Sequence, residues 1–348
     1  MYQEFYCLRE KPFSLTPDPQ FLYLSEGHRT AIDSLLYGIY QREGFMVLTG
    51  DIGTGKTTLC RAILEKLGKN VKTAIIFNSF LTEGELLKSI LQDLGLPSEG
   101  RSKKEQIDVL NKFLIDQLSK GENVALIIDE AQNLSIPVLE MIRMLSNLET
   151  EKEKMIQIIL IGQLELDQKL QTPELKQLNQ RVAIRQRLLP LTRTETESYI
   201  NHRLIVAGAQ GNITFSRSAF SEIYQFSMGI PRLINLLCDR TLLAGFVSQT
   251  NHIHKEIVKK AKVSLLGSEV NTEPSPFRTF LRRTIPLHIG LLIIFLSLFA
   301  SILLSDQRTK HSIWGRIQGI YLQVSGTSEQ TASKIEAIKT SKDSSKTL

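Results

Sequence analysis

A chain of 348 residues allows two domains, or one domain with appendages, and 42% apolar content is enough for a sizeable core. The net charge is +6, but residues 305–348 hold seven Lys/Arg against four Asp/Glu, half of that excess. The main body is therefore nearly balanced, and its basic pI does not mark it as a nucleic-acid binder. Three cysteines, Cys7, Cys60 and Cys238, are odd in number and far apart, so no disulfide framework is expected. Residues 1–11 lack the apolar run of a secretory signal.

In chain order, residues 1–30 read as an irregular arm, in which Pro12, Pro17 and Pro19 interrupt the aromatics Phe5, Tyr6, Phe13, Phe21 and Tyr23. Residues 26–41 carry Ala31, Leu35, Leu36 and Ile39 at helical spacing. An apolar strand follows at 44–49 and runs into Gly50-Asp51-Ile52-Gly53-Thr54-Gly55-Lys56-Thr57, a complete G-x-x-x-x-G-K-[ST] loop, then Thr58 and a helix to residue 67. Small residues let backbone N–H groups converge on polyphosphate oxygens, and the helix points its positive end at the same anion. Lys56 is expected to reach the β/γ-phosphates of ATP, and the Thr57 hydroxyl its Mg²⁺. Ahead of such a loop, the arm would either cover the nucleotide base or strap across the sheet.

A second strand is expected at 71–77, helices at 82–94 and 103–118, and a strand at 124–128 ending in Asp129-Glu130. Its unbroken apolar run indicates burial on both faces of a parallel sheet. Behind a complete phosphate loop, Asp129 is expected to orient the Mg²⁺ and Glu130 to polarise the attacking water. A helix at 138–148, a strand at 155–161 closing on Gly162-Gln163, a helical patch at 174–180 and a fifth strand at 183–189 complete an alternating α/β pattern. Gln163 can bond the γ-phosphate or the water. Arg181 precedes the last strand, where a neighbouring subunit's nucleotide would lie, with Arg185 and Arg187 as competitors.

From residue 191 the texture is helical. Thr194-x-x-Glu197 reads as a capping box, and further helices are expected at 216–227, 231–247 and 253–265. Arg232 in Gly229-Ile230-Pro231-Arg232 can reach back across a cleft, making this small domain a nucleotide-dependent lid. The histidines show no metal-ligand spacing. A polar linker leads to residues 284–305, 22 positions without Asp, Glu, Lys or Arg. At ~1.5 Å per residue they extend ~33 Å, long enough for a single membrane span. Because the body must face ATP, the N-terminal side is expected in the cytoplasm. The tail, 306–348, has one helical-period patch at 313–324 and otherwise reads as disordered.

The combined set resembles an AAA+ ATPase: Gly50–Thr57 is similar to Walker A, Ile127–Glu130 to Walker B, and Gly229–Arg232 to the second sensor of a lid. More narrowly, residues 11–19 (KPFSLTPDP), 129–134 (DEAQNL) and 161–166 (IGQLEL) resemble the secretion ATPases typified by general secretion pathway protein A. The resemblance implies a P-loop fold of the ASCE type with a five-stranded parallel sheet, and an N-terminal arm (1–30), AAA+ domain (31–191), helical lid (192–266), linker (267–283) and span (284–305). It also implies a homo-oligomer, a ring or an ATP-dependent dimer, at the bacterial inner membrane, with type II secretion or other envelope proteins as partners. A peptidoglycan-binding domain often follows the span in that family, and a tail of 43 residues, mostly polar, is expected not to fold one. The rival reading is a DNA-directed ATPase of the transposition-helper kind, disfavoured by the weak basic excess. A GTP switch is disfavoured because Asn111-Lys112-Phe113-Leu114 lacks the guanine-reading Asp.

Overall fold

The computed structural model describes residues 1–77 and 80–267. The expected span at 284–305 and the tail lie outside the described residues, as does the linker beyond Gly267. Five strands, β1 (Phe45–Gly50), β2 (Val71–Ile76), β3 (Asn123–Ile128), β4 (Gln157–Gly162) and β5 (Val182–Leu188), form one sheet in the order β2-β3-β4-β1-β5. Every pairing is parallel. The helices are α1 (Tyr2–Phe5), α2 (Glu26–Tyr40), α3 (Lys56–Lys66), α4 (Glu83–Asp93), α5 (Lys103–Ser119), α6 (Ile136–Leu145), α7 (Leu164–Leu170), α8 (Lys176–Gln180), α9 (Arg193–Val206), α10 (Arg217–Ser227), α11 (Pro231–Val247) and α12 (Lys255–Leu266).

The period of two along each strand divides the core into two layers. Val124, Leu126 and Ile128 of β3, with Phe45 and Val47 of β1, face one side with α4, α5 and α6. Ala125 and Ile127, with Met46 and Leu48, face the other with α2 and α3. Each fully buried aliphatic side chain contributes roughly 1.5–3 kcal/mol. With both faces apolar, the side-chain pattern alone cannot fix register. A polar strand start helps: the buried Asn123 amide donates to the Ile39 carbonyl in the last turn of α2 at 2.8 Å, tying β3 to that helix.

Helices α9–α12 build a separate core, and the N-terminal arm belongs to it. Tyr2, Tyr6, Leu8, Phe13 and Phe21 are buried among these helices. The buried Arg203 guanidinium of α9 donates to the Pro12 carbonyl and to Tyr199 Oη, and lies 4.7 Å from the centre of the Phe21 ring. The strap therefore crosses the helical side, not the sheet. Aromatic and proline content signals burial without naming the surface that covers it.

Two smaller expectations change as well. The capping box of α9 is Thr192 with Glu195, two residues before the expected pair. The Leu191 N–H bonds the Gly229 carbonyl at 2.9 Å, and the chain leaves that contact extended at Thr192, so the helix starts there. Helix α7 was not expected at all, since seven residues with a short apolar repeat give little periodic signal.

Candidate active site

The phosphate-type loop leaves β1 at Gly50 and enters α3 at Lys56. Gly53 has φ +81°, and a Cβ there would lie 2.6 Å from Arg232 Cβ. Glycine is thus required both for the turn and for the close approach of the helical side. The backbone N–H of Arg232 donates to the Gly53 carbonyl at 3.2 Å, so the two parts meet at the loop itself. A cleft of about 360 Å³ opens between the loop, arm residues 14–18 and α11, within the size range of a small-molecule site. Thr54 is buried, Thr58 lines the cleft on the first turn of α3, Ile52 is exposed at the rim, and Asp51 is exposed.

Lys56 is buried, and its Nζ donates to the Gly50 and Asp51 carbonyls at 2.8 and 2.9 Å. Burial lowers its pKa against the opposing pull of Glu130 and Asp129. Thr57 Oγ1 donates to Asp129 Oδ2 at 2.9 Å, joining loop to strand end. The Asp129 carboxyl is pushed up by burial, while the Glu130 N–H and the Thr57 hydroxyl stabilise its charged form. A hydroxyl beside a carboxylate is the donor chemistry of a hard cation such as Mg²⁺. Among the described residues no cluster of three or more His, Cys, Asp or Glu could hold a metal alone, so phosphate oxygens would complete the shell.

Glu130 adopts a left-handed conformation (φ +52°, ψ +36°), which costs a non-glycine residue roughly 1–2 kcal/mol. Its Oε2 accepts from Gln163 Nε2 at 3.2 Å and from Gln132 Nε2 at 2.6 Å. The structure thus brings Lys56, Thr57, Asp129, Glu130 and Gln163 together. Arg232 lines the same cleft with its side chain exposed. Arg181 is not brought there. Val182 pairs with Phe45, at the end of β1 remote from the loop, and the exposed Arg181 guanidinium bonds Asn147 Oδ1 and Ser146 Oγ at 2.5 and 3.1 Å. Arg185 is paired with Asp167, which also accepts from Thr49 Oγ1 at 2.7 Å.

Sequence reasoning missed two contributors. His28 is buried, and its Nε2 lies 3.1 Å from the Thr54 carbonyl. A carbonyl only accepts, so Nε2 carries the proton and Nδ1 accepts from the Ser25 hydroxyl at 2.7 Å. Burial pushes this imidazole below its ordinary pKa, which keeps that neutral tautomer. The only available signal was a histidine ahead of the loop, with no metal spacing to single it out. Gln132, the second, lies two residues past the acidic pair.

Residues 39–170 match the family model described as an AAA domain. That stretch is similar to AAA domains. Around it, the chain is 43% identical over 254 residues to general secretion pathway protein A of Aeromonas hydrophila, covering 73% of this chain and 46% of that protein. It resembles that protein, and spans about half its length. Among solved structures, the Aeropyrum pernix ORC2 protein (ADPNP-ADP complexes) is similar with a TM-score of 0.54 at 16% identity, over 72% of this chain and 70% of that one. Cdc6p from Pyrobaculum aerophilum gives 0.55 at 20%, over 72% and 69%. At these identities the likeness is one of fold, here an α/β architecture with a five-stranded parallel sheet.

Proposed function

We propose that this protein is an ATP-hydrolysing AAA+ protein that supports assembly or operation of a bacterial secretion or envelope complex. The observation that carries the reading is the bond between Thr57 and Asp129: a hydroxyl beside a carboxylate is a donor pair suited to one hard cation, which supports a shared role for the two. The likeness to general secretion pathway protein A supports the secretion role.

In this reading the loop 50–57 wraps the phosphates and Lys56 leaves its two carbonyls for the β/γ-phosphates. Thr57 and Asp129 hold Mg²⁺, which when bound neutralises charge developing on the phosphate oxygens. Glu130 takes the proton of the attacking water, and Gln163 turns from Glu130 to the γ-phosphate. Arg232 couples the helical lid to the bound nucleotide. Arg181 acts on the nucleotide of a neighbouring copy, in a ring or an ATP-dependent dimer. Residues 284–305 anchor the chain in the inner membrane with the ATPase body in the cytoplasm, where envelope proteins are its partners.

The test is nucleotide binding and phosphate release by the full-length chain in detergent, with a pull-down from solubilised membranes with and without ATP. Absence of both ATP binding and turnover would end the reading. Recovery of DNA in place of envelope proteins would favour the rival one.

A further inference from the structure

Two side-chain amides grip one oxygen of Glu130, and only one of them is occupied elsewhere in the proposed cycle. Gln163 must leave Glu130 to serve the γ-phosphate. Gln132 has no such duty, and it is fixed at its far end. Its Oε1 accepts the backbone N–H of Gln163 at 3.0 Å, which identifies that atom as oxygen and turns Nε2 toward Glu130. A Cβ on Gly162 would lie 2.9 Å from Gln132 Oε1, so the glycine leaves room for the amide. Lys169 of α7 donates to the main-chain carbonyls of Gln132 and Leu134, the latter at 2.8 Å, holding the turn that carries the amide.

We infer that Gln132 is a positioning residue for ATP hydrolysis: it keeps the Glu130 carboxylate in place when Gln163 turns to the phosphate. The inference rests on the ATPase reading above. A carboxylate on a flexible side chain, presented from a left-handed backbone, needs such a holder. Misplacing a reacting group by about 1 Å can cost on the order of 10²-fold in rate.

The experiment compares steady-state ATP·Mg²⁺ turnover and ADP affinity in the full-length protein carrying Gln132→Glu or Gln132→Met. Gln132→Glu retains an oxygen for the Gln163 N–H but replaces the donation to Glu130 with a repelling carboxylate; Gln132→Met removes both bonds at similar volume without adding charge. The expected result is a kcat at least ~10-fold lower in both, with KM and ADP Kd within ~3-fold, because the interaction serves the reacting group and not ground-state binding. A melting temperature close to wild type for Gln132→Glu separates positioning from unfolding, should the Met variant prove unstable. Unchanged or raised kcat, or a loss carried equally by KM and Kd, overturns the inference. Glu130→Gln is the control. If the wild-type chain neither binds nor turns over ATP, the ATPase reading fails; if Glu130→Gln turns over ATP like wild type, the base lies elsewhere and this inference falls with it; if Glu130→Gln is inactive while both Gln132 variants behave as wild type, this inference alone fails.

Discussion

Thr57 and Asp129 stand 72 positions apart in the chain and 2.9 Å apart in the fold, hydroxyl donating to carboxylate. β1 and β3 are not neighbours in the sheet; β4 lies between them, and the contact spans it, from the first turn of α3 beyond β1 to the residue that follows β3. That is where open parallel sheets bind ligands. Removing the hydroxyl with Thr57→Ala is expected to weaken Mg²⁺-dependent nucleotide binding by ~10-fold or more while Mg²⁺-free binding changes little, in line with about 1.5–3 kcal/mol for a hydrogen bond to a charged group. Isothermal titration with and without the cation checks this.

Lys56→Ala should abolish measurable ATP binding. The side chain is buried with two carbonyl partners, so the loop loses both its cation and an internal tie. Unchanged affinity in a fluorescent-nucleotide titration would remove the loop from the site.

Glu130→Gln should bind ATP normally and retain it unhydrolysed, with turnover reduced by ~10²–10⁴-fold, the scale of a lost general base. Single-turnover phosphate release reads the outcome. A wild-type rate would assign the base elsewhere.

Arg181→Ala should keep nucleotide affinity and lose turnover by ~10³-fold or more if its guanidinium serves a neighbouring copy. Mixing that variant with Lys56→Ala would then restore part of the activity, since an intact site on one subunit meets an intact arginine on the other. Activity that stays at zero across all mixing ratios would speak against action between subunits.

Gly229→Ala should destabilise the fold by at least ~1–2 kcal/mol, because φ is +78° and a Cβ would fall 1.9 Å from the Leu191 carbonyl oxygen. The position joins the sheet-side strand exit to the helix bearing Arg232, so a lowered melting midpoint should come with weaker nucleotide binding.

His28 gives a prediction in pH. Its folded pKa lies below the ordinary value of about 6.5 because the ring is buried. Between those values the unfolded chain binds a proton that the native state refuses, so stability falls as pH drops from about 7 toward 5. His202, also lowered by burial, adds a slope of the same sign. Denaturant midpoints at pH 5 and 7 should converge in His28→Asn, though not fully. An unaltered pH dependence would show that Nδ1, where the Ser25 hydroxyl donates, takes up a proton as readily in the native state as in the unfolded chain.

The strand–loop–helix turn at 50–57 was legible because its signal is local: eight consecutive residues, mostly small, between an apolar strand and a helix that opens at Lys56. The parallel sheet was equally legible in the unbroken apolar runs of β3 and β4, which leave no polar face to turn to water. Tertiary structure alone decided what meets through space. It placed the aromatic arm against α9–α12 instead of the sheet, set His28 under the Thr54 carbonyl, and joined Gln132 and Gln163 on one oxygen of Glu130. It also turned Arg181 away from its own chain's loop, through the register of Val182 on Phe45. Periodicity says that a residue is buried or that a turn is needed; the partner depends on how separate elements close upon one another, and no window along the chain contains that information.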